Sequence, residues 1–278
     1  MLANASVDDD IFAGNRAFGR IALTVAAEAG VSRRARVHEA GALRVRFPNG
    51  ASRESLDAVI VNTAGGMAGG DRFGIDMSVG AGAGLTVTTA AAEKIYRSHG
   101  PDTALDIKLD VAAGAALAWL PQETILFDRV RLARTIDVTL TPGASLIVAE
   151  AVVFGRAAMG ETVGDGRLFD RWRVRLDGKL IFAETLRLDD AIAQRLKQRA
   201  VAADGVAIAT VLKFPGDETG VAAVRAIGET CAGEVGVSAW NGLALARLVA
   251  KDGACLRRDL ASVVTALGER HLPRLWLN

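Results

Sequence analysis

Five carboxylates interrupt otherwise apolar stretches of the chain: Glu93, Glu123, Asp128, Glu150 and Glu161. They fall at or just after the ends of strand-like runs, in the company of Tyr96, Arg97 and Arg156. Gathered together, these groups could close the repeat ends with salt bridges. They could equally line a polar passage or docking surface that offers weak oxygen ligation to a divalent cation. Oxygen ligands alone select poorly among transition metals; imidazole and thiolate select better and are sparse here. His38, His99 and His271 stand far apart, and Cys231 and Cys255 lack metal-ligand spacing, so no permanent metal site is predicted. Both cysteines are expected to be buried and structural.

A second group that invites chemistry is Gly65-Gly66-Met67-Ala68-Gly69-Gly70-Asp71-Arg72, which follows the apolar run Val59–Val61. It is not a phosphate loop. No Lys-Ser/Thr follows the last glycine, the spacing is not G-x-G-x-x-G, and the next segment reads as a strand rather than a helix. The string reads instead as a bent loop whose glycines permit close backbone approach, with Asp71 bonding to the loop's own amides. The same loop could present a shaped surface to a partner protein. Ser98-His99 and Ser145 are the nearest approach to a nucleophile and base, and no G-x-S-x-G elbow accompanies them. No catalytic residue is assigned.

What must position these groups is a repeat. Ile75, Met77 and Val79 precede Gly82-Ala83, then Leu85 and Val87; Ile107, Leu109 and Val111 precede Gly114-Ala115, then Leu117 and Trp119; Ile136, Val138 and Leu140 precede Gly143-Ala144, then Leu146 and Val148. Each unit is a strand, a tight turn and a second strand, with apolar residues on one face. Pro142 before Gly143 supports the turn. Stacking the three units predicts a mostly β protein of layered, solenoid-like sheets, with the trailing polar ends on one continuous surface.

Elsewhere, Ile21–Val25 and Arg33–Phe47 alternate as strands, and Val206–Phe214, Val221–Ile227 and Leu243–Val249 read as further strands. About two short helices are expected, near 190–203 with Asp189 or Asp190 as cap, and near 256–267. Residues 1–15 form a flexible tip, and 16–278 one elongated β domain whose apolar tail, Leu272–Trp276, docks on the body. The chain has 278 residues, 50% of them hydrophobic, and 51 are alanine. A chain of this size can bury roughly 70% of its unfolded surface without metals or disulfides. With 33 basic against 32 acidic side chains the net charge is +1, which argues against nucleic acid or an anionic membrane as the main partner. The acidic N-terminal Asp8-Asp9-Asp10 is unlike a signal peptide, and no apolar run reaches the ~18–20 residues of a spanning helix, so a cytoplasmic location is expected.

The segment Val61–Arg72 resembles the signature of the urease accessory protein family UreD, called UreH in some bacteria. The likeness continues through Lys94-Ile95-Tyr96-Arg97-Ser98, Leu120–Ile125, Glu150, Gly155–Glu161, Phe169–Arg173 and the closing Leu272–Trp276. It covers roughly residues 20 to 276. Thr63-Ala64 stand where many members of that family carry proline. The resemblance implies a non-enzymatic cytoplasmic scaffold that binds apo-urease, the helical UreF and the GTPase UreG, and assists nickel delivery to the urease site. Nickel would be handled transiently, and GTP would be bound by the partner and not by this chain. Gly65, Gly66, Gly69, Gly70, Asp71 and Arg72 would form the partner-reading loop. The carboxylates, Tyr96, Arg97 and Arg156 would line a passage or docking surface. From another class, a metal-dependent enzyme stands as the alternative, as does a generic β scaffold of another complex.

Overall fold

The computed structural model describes residues 15–48, 53–268 and 272–276. The expected tip therefore falls almost wholly outside the described residues, as does His271. In chain order the strands are β1 (Phe18–Glu28), β2 (Val31–Gly41), β3 (Leu43–Arg46), β4 (Ser55–Asn62), β5 (Arg72–Val79), β6 (Gly84–Thr89), β7 (Glu93–Ile95), β8 (Thr103–Val111) and β9 (Ala116–Trp119). They continue as β10 (Thr124–Leu126), β11 (Val130–Leu140), β12 (Ser145–Phe154), β13 (Gly166–Leu176), β14 (Lys179–Asp189), β15 (Ala207–Phe214), β16 (Glu234–Trp240) and β17 (Leu243–Ala250). Helices α1 (Ile192–Leu196), α2 (Glu218–Gly228) and α3 (Gly253–Ala266) complete the fold.

Two sheets face each other. One runs β14-β13-β11-β8-β5-β1-β2; the other runs β16-β17-β15-β12-β9-β6-β4-β3, with β7 and β10 extending beside β12. The three repeats stack in register. Ile75, Ile107 and Ile136 form one rung of the first sheet, and Leu85, Leu117 and Leu146 one rung of the second. The protein is mostly β and solenoid-like, as the repeat predicts. The arms of each unit do not pair with each other. They lie in opposite sheets, and the Gly-Ala turn carries the chain across the core. Each turn closes with a hydrogen bond: Ala83 N to Gly80 O at 3.0 Å, Ala115 N to Ala112 O at 3.1 Å, and Ala144 N to Thr141 O at 3.0 Å. The turn glycines take φ of 69°, 68° and 84°, values that cost a side chain bearing Cβ about 1–2 kcal/mol.

Inward side chains of both sheets, among them Ile21, Met77, Leu109 and Leu146, fill the main core. A second core lies on the outer face of the second sheet. There the small side chains of Ala149, Ala151, Ala209 and Ala246 let α3 approach with Leu256, Leu260, Val263 and Val264. The tail docks on this core, where Trp276 is buried and its Nε1 donates to Leu120 O at 3.0 Å.

The helical expectations need two corrections. Residues 221–227, expected as a strand, lie within α2. The valines suggest a strand, but Val221 and Val224 are the buried pair at helical spacing, and Asp217 caps the start by accepting from Gly220 N at 3.0 Å. The helix expected near 190–203 shrinks to α1. Neither Asp189 nor Asp190 caps it, since Ala191 occupies the cap position with φ 47°. The helix expected near 256–267 is α3, capped by Asp252 through Cys255 N at 2.7 Å.

Candidate docking site

The glycine loop joins β4 to β5, and its shape is set by contacts from three sides. Asp71 is buried, and its Oδ1 accepts from Ala17 N at 2.8 Å while Oδ2 accepts from Ala68 N at 2.7 Å. Asp71 thus ties β1 to the loop as well as bonding within it, which the sequence suggested only in part. Met67 N donates to Lys94 O, and Tyr96 N donates back to Met67 O, both at 2.8 Å. Gly66 has φ 152°, and a Cβ there would sit 2.5 Å from the Tyr96 ring. A Cβ on Gly69 would lie 1.9 Å from Ser98 Oγ. Ser98 is itself committed to its turn, donating to Pro101 O at 2.7 Å. At the loop's entry Thr63 N donates to Ala42 O, and Ala64 N to Asn62 Oδ1. Side-chain packing and these bonds replace the stiffness that proline would give.

From the loop a row of packed groups crosses the surface. Tyr96 donates its hydroxyl to Gly65 O at 2.9 Å. Its ring meets Phe127 edge to face at 5.1 Å. The Arg156 guanidinium covers Phe127 at 4.1 Å, and Glu161 accepts from Arg156 Nε at 2.7 Å and Nη2 at 3.0 Å. That two-point pairing holds the Glu161 carboxyl below its ordinary range. Asp128 Oδ1 accepts from Gly164 N at 2.8 Å and Asp165 N at 3.2 Å, fixing the next turn. Arg97 is exposed and bridges Val130 through its backbone. Beside the loop, Phe18 (61% exposed), Arg72 and Pro101 border an open groove of about 620 Å³. Beyond Arg156, Met159 projects with 70% of its surface exposed. The fold therefore brings the glycine loop, Tyr96, Arg156, Asp128 and Glu161 together.

Of the remaining carboxylates, Glu93 adjoins the loop through Asn62, whereas Glu123 and Glu150 do not join that surface. Glu93 and Glu123 are neighbours through the backbone, with Glu93 N donating to Glu123 O at 2.8 Å, but their side chains leave opposite faces. Glu93 is held by Asn62 Nδ2 at 3.1 Å, and the same Nδ2 reaches Gly66 O at 3.3 Å. Burial raises the Glu93 carboxyl, with the Asn62 bond opposing. Glu123 turns to the helical side and pairs with Arg257 of α3 at 2.9 Å. Glu150 points into the main core. The continuous surface of Glu93, Glu123 and Glu150 expected from the repeat is not formed, because strand alternation turns Glu123 to the face opposite Glu93 and Glu150.

Around Glu150 lies a buried network that the sequence reading missed. Arg134 on β11 bonds both Glu150 on β12 and Asp170 on β13; Trp119 Nε1 donates to Glu150 Oε1 at 2.7 Å, and Trp172 Nε1 to Asp170 Oδ1 at 3.1 Å. Burial raises the Glu150 carboxyl against the pull of Arg134. Burial alone would lower Arg134, but its two carboxylates outweigh that and keep it charged. The signal was present: Arg134 occupies an inward register position between Leu132 and Ile136, where an apolar residue belongs.

Among the described residues, no group of three or more His, Cys, Asp or Glu side chains could hold a metal ion. Both cysteines are half-buried rather than buried. Cys231 is raised by burial, and Cys255 is raised chiefly by its bond to Asp252, so neither is an activated thiolate. Among the described residues no helix is long and apolar enough to cross a membrane.

The sequence profile of the UreD urease accessory protein family matches residues 17–277. The chain belongs to the UreD family. It is 57% identical over 273 residues to the urease accessory protein UreD of Rhodopseudomonas palustris strain HaA2, covering 98% of each chain. Against the UreD of Bradyrhizobium diazoefficiens, identity is 53% over 278 residues and covers 100% of both. The UreD 3 of Bradyrhizobium sp. strain BTAi1 is 50% identical over 274 residues. In this UreD chain the glycine string whose likeness suggested the family is the same loop that anchors the Tyr96–Phe127–Arg156–Glu161 row.

Proposed function

We propose that this chain is a cytoplasmic, non-enzymatic accessory subunit of urease maturation. It scaffolds UreF-type and UreG-type partners on apo-urease and assists nickel insertion. The observation that carries this reading is membership of the UreD family over nearly the whole chain. The site chemistry agrees with it. A row of backbone-anchored aromatic and charged groups suits recognition, and its polar atoms serve packing rather than bond cleavage. Arg72, Phe18 and Met159 project from that row and are the groups we assign to partner contact. Nickel is cargo, met transiently by oxygen donors, and Glu93 is the carboxylate we assign to it. Glu123 and Glu150 are already paired with arginines. GTP belongs to the partner GTPase, consistent with a glycine string that lacks a phosphate-binding lysine.

Reconstitution in a urease-producing strain tests this. Gly66→Val drives a side chain into the Tyr96 ring, and Met159→Asp places a charge on an exposed apolar tip. Each is expected to lower urease activation at least tenfold while leaving the isolated GTPase partner's activity unchanged. Full activation with both variants folded would contradict the assignment of this surface.

A further inference from the structure

The two sheets end together at β2 and β3, and the mouth between these edges is an open groove of about 590 Å³. It is lined by the apolar Val37, Val45 and Phe47 together with Arg34, Arg36, Arg46 and Glu39. The register explains this mixture. Val37 pairs with Leu23 and Glu39 with Ile21, so both share the core side of the sheet; a bulge opposite Thr24 and Val25 puts Arg34 on that side too. Arg34 lies over the Phe47 ring at 5.2 Å.

Glu39 balances only one of these charges, that of Arg46. Its Oε1 accepts from Val45 N at 2.5 Å and from Arg46 Nη1 at 3.1 Å, stapling β2 to β3 and blocking the open edge of β3. No ion pair among the described residues engages Arg34 or Arg36. Among the described residues the edge of β2 is unpaired over 33–38, all of them exposed, while Ser32 N at its start donates to Arg53 O. An edge strand with unpaired backbone groups, beside apolar side chains and two arginines without an ion pair, is a template for an added strand of opposite charge.

We infer that this groove receives an acidic, extended segment of a partner protein. The segment adds as a strand to β2, placing apolar side chains beside Val37 on the core side and carboxylates within reach of the unpaired Arg34 and Arg36. A second copy of the chain would bring arginines against arginines. Single-stranded nucleic acid would want an exposed ring for stacking, and the Phe47 face is covered by Arg34. The groove shares no residue with the glycine-loop site, so this inference can fail while the proposed function stands.

Fluorescence anisotropy on the full chain tests it with three labelled nine-residue peptides: alternating Val and Asp, alternating Val and Lys, and the Val/Asp peptide with proline at its centre. The Val/Asp peptide is expected to bind saturably, and to weaken at least tenfold on Arg34→Glu/Arg36→Glu and on raising salt from about 50 to about 500 mM. The Lys and proline peptides are expected not to bind. Arg36→Glu alone, at an exposed position, supplies a folded control with an intermediate loss. Several results would overturn the inference: equal binding of the proline peptide, no effect of either charge reversal, displacement by an oligothymidine at lower concentration, or self-association of the chain through this face.

Discussion

Arg134 decides whether the core tolerates two carboxylates. Replacing it with methionine keeps much of the volume and leaves Glu150 and Asp170 buried without their cation, at a cost of about 3–5 kcal/mol near neutral pH. The pH dependence carries a sign. The folded Glu150 carboxyl already lies above its ordinary range, so folded chains hold more protons than unfolded ones as pH rises through that window. Stability from this group is fully present below the ordinary carboxylate range and drains as pH rises. Without Arg134 the drain steepens, so urea midpoints of Arg134→Met are expected to recover towards the parent's as pH falls from 8 to 5. A parallel loss at every pH would show that the triad acts by packing alone. Glu161 behaves oppositely: its lowered carboxyl gives stability that fades as acid protonates it.

At the scale of elements, the alternating repeats and their turns were legible because period two and a glycine at a positive-φ position are local signals. Gly114→Val is expected to cost about 1–2 kcal/mol through its φ of 68°, with no lost contact to blame; a thermal midpoint unchanged from the parent would contradict that. Which sheet each arm joins was not legible. A Gly-Ala turn has the same composition whether its arms pair or part, and only the register of neighbouring repeats separates them. α2 was misread because valine favours strands locally, while its burial follows the helical spacing of Val221 and Val224. The site was half legible. The glycine loop, Tyr96, Arg156 and Glu161 stand out as motif residues, whereas Phe127, which joins Tyr96 to Arg156, belongs to no motif. Glu123 and Glu150 were drawn to one surface by their positions at repeat ends, and alternation sent them to different faces.

For the whole molecule, two faces of one sheet do different work. The inward face joins the sheets around an apolar core pinned by the Arg134 network, and the outward face receives α3 through its alanines. That leaves the loop, Tyr96, Phe127 and Arg156 as a surface whose groups are held by one another. We propose that partners dock on this surface. Hydrogen exchange on the full chain, alone and in the proposed complex with UreF-type and UreG-type proteins and apo-urease, tests this. Backbone amides of residues 63–71, 96–100 and 155–161 are expected to slow at least tenfold on assembly. Unchanged exchange in all three segments, with protection appearing elsewhere on a formed complex, would contradict the account.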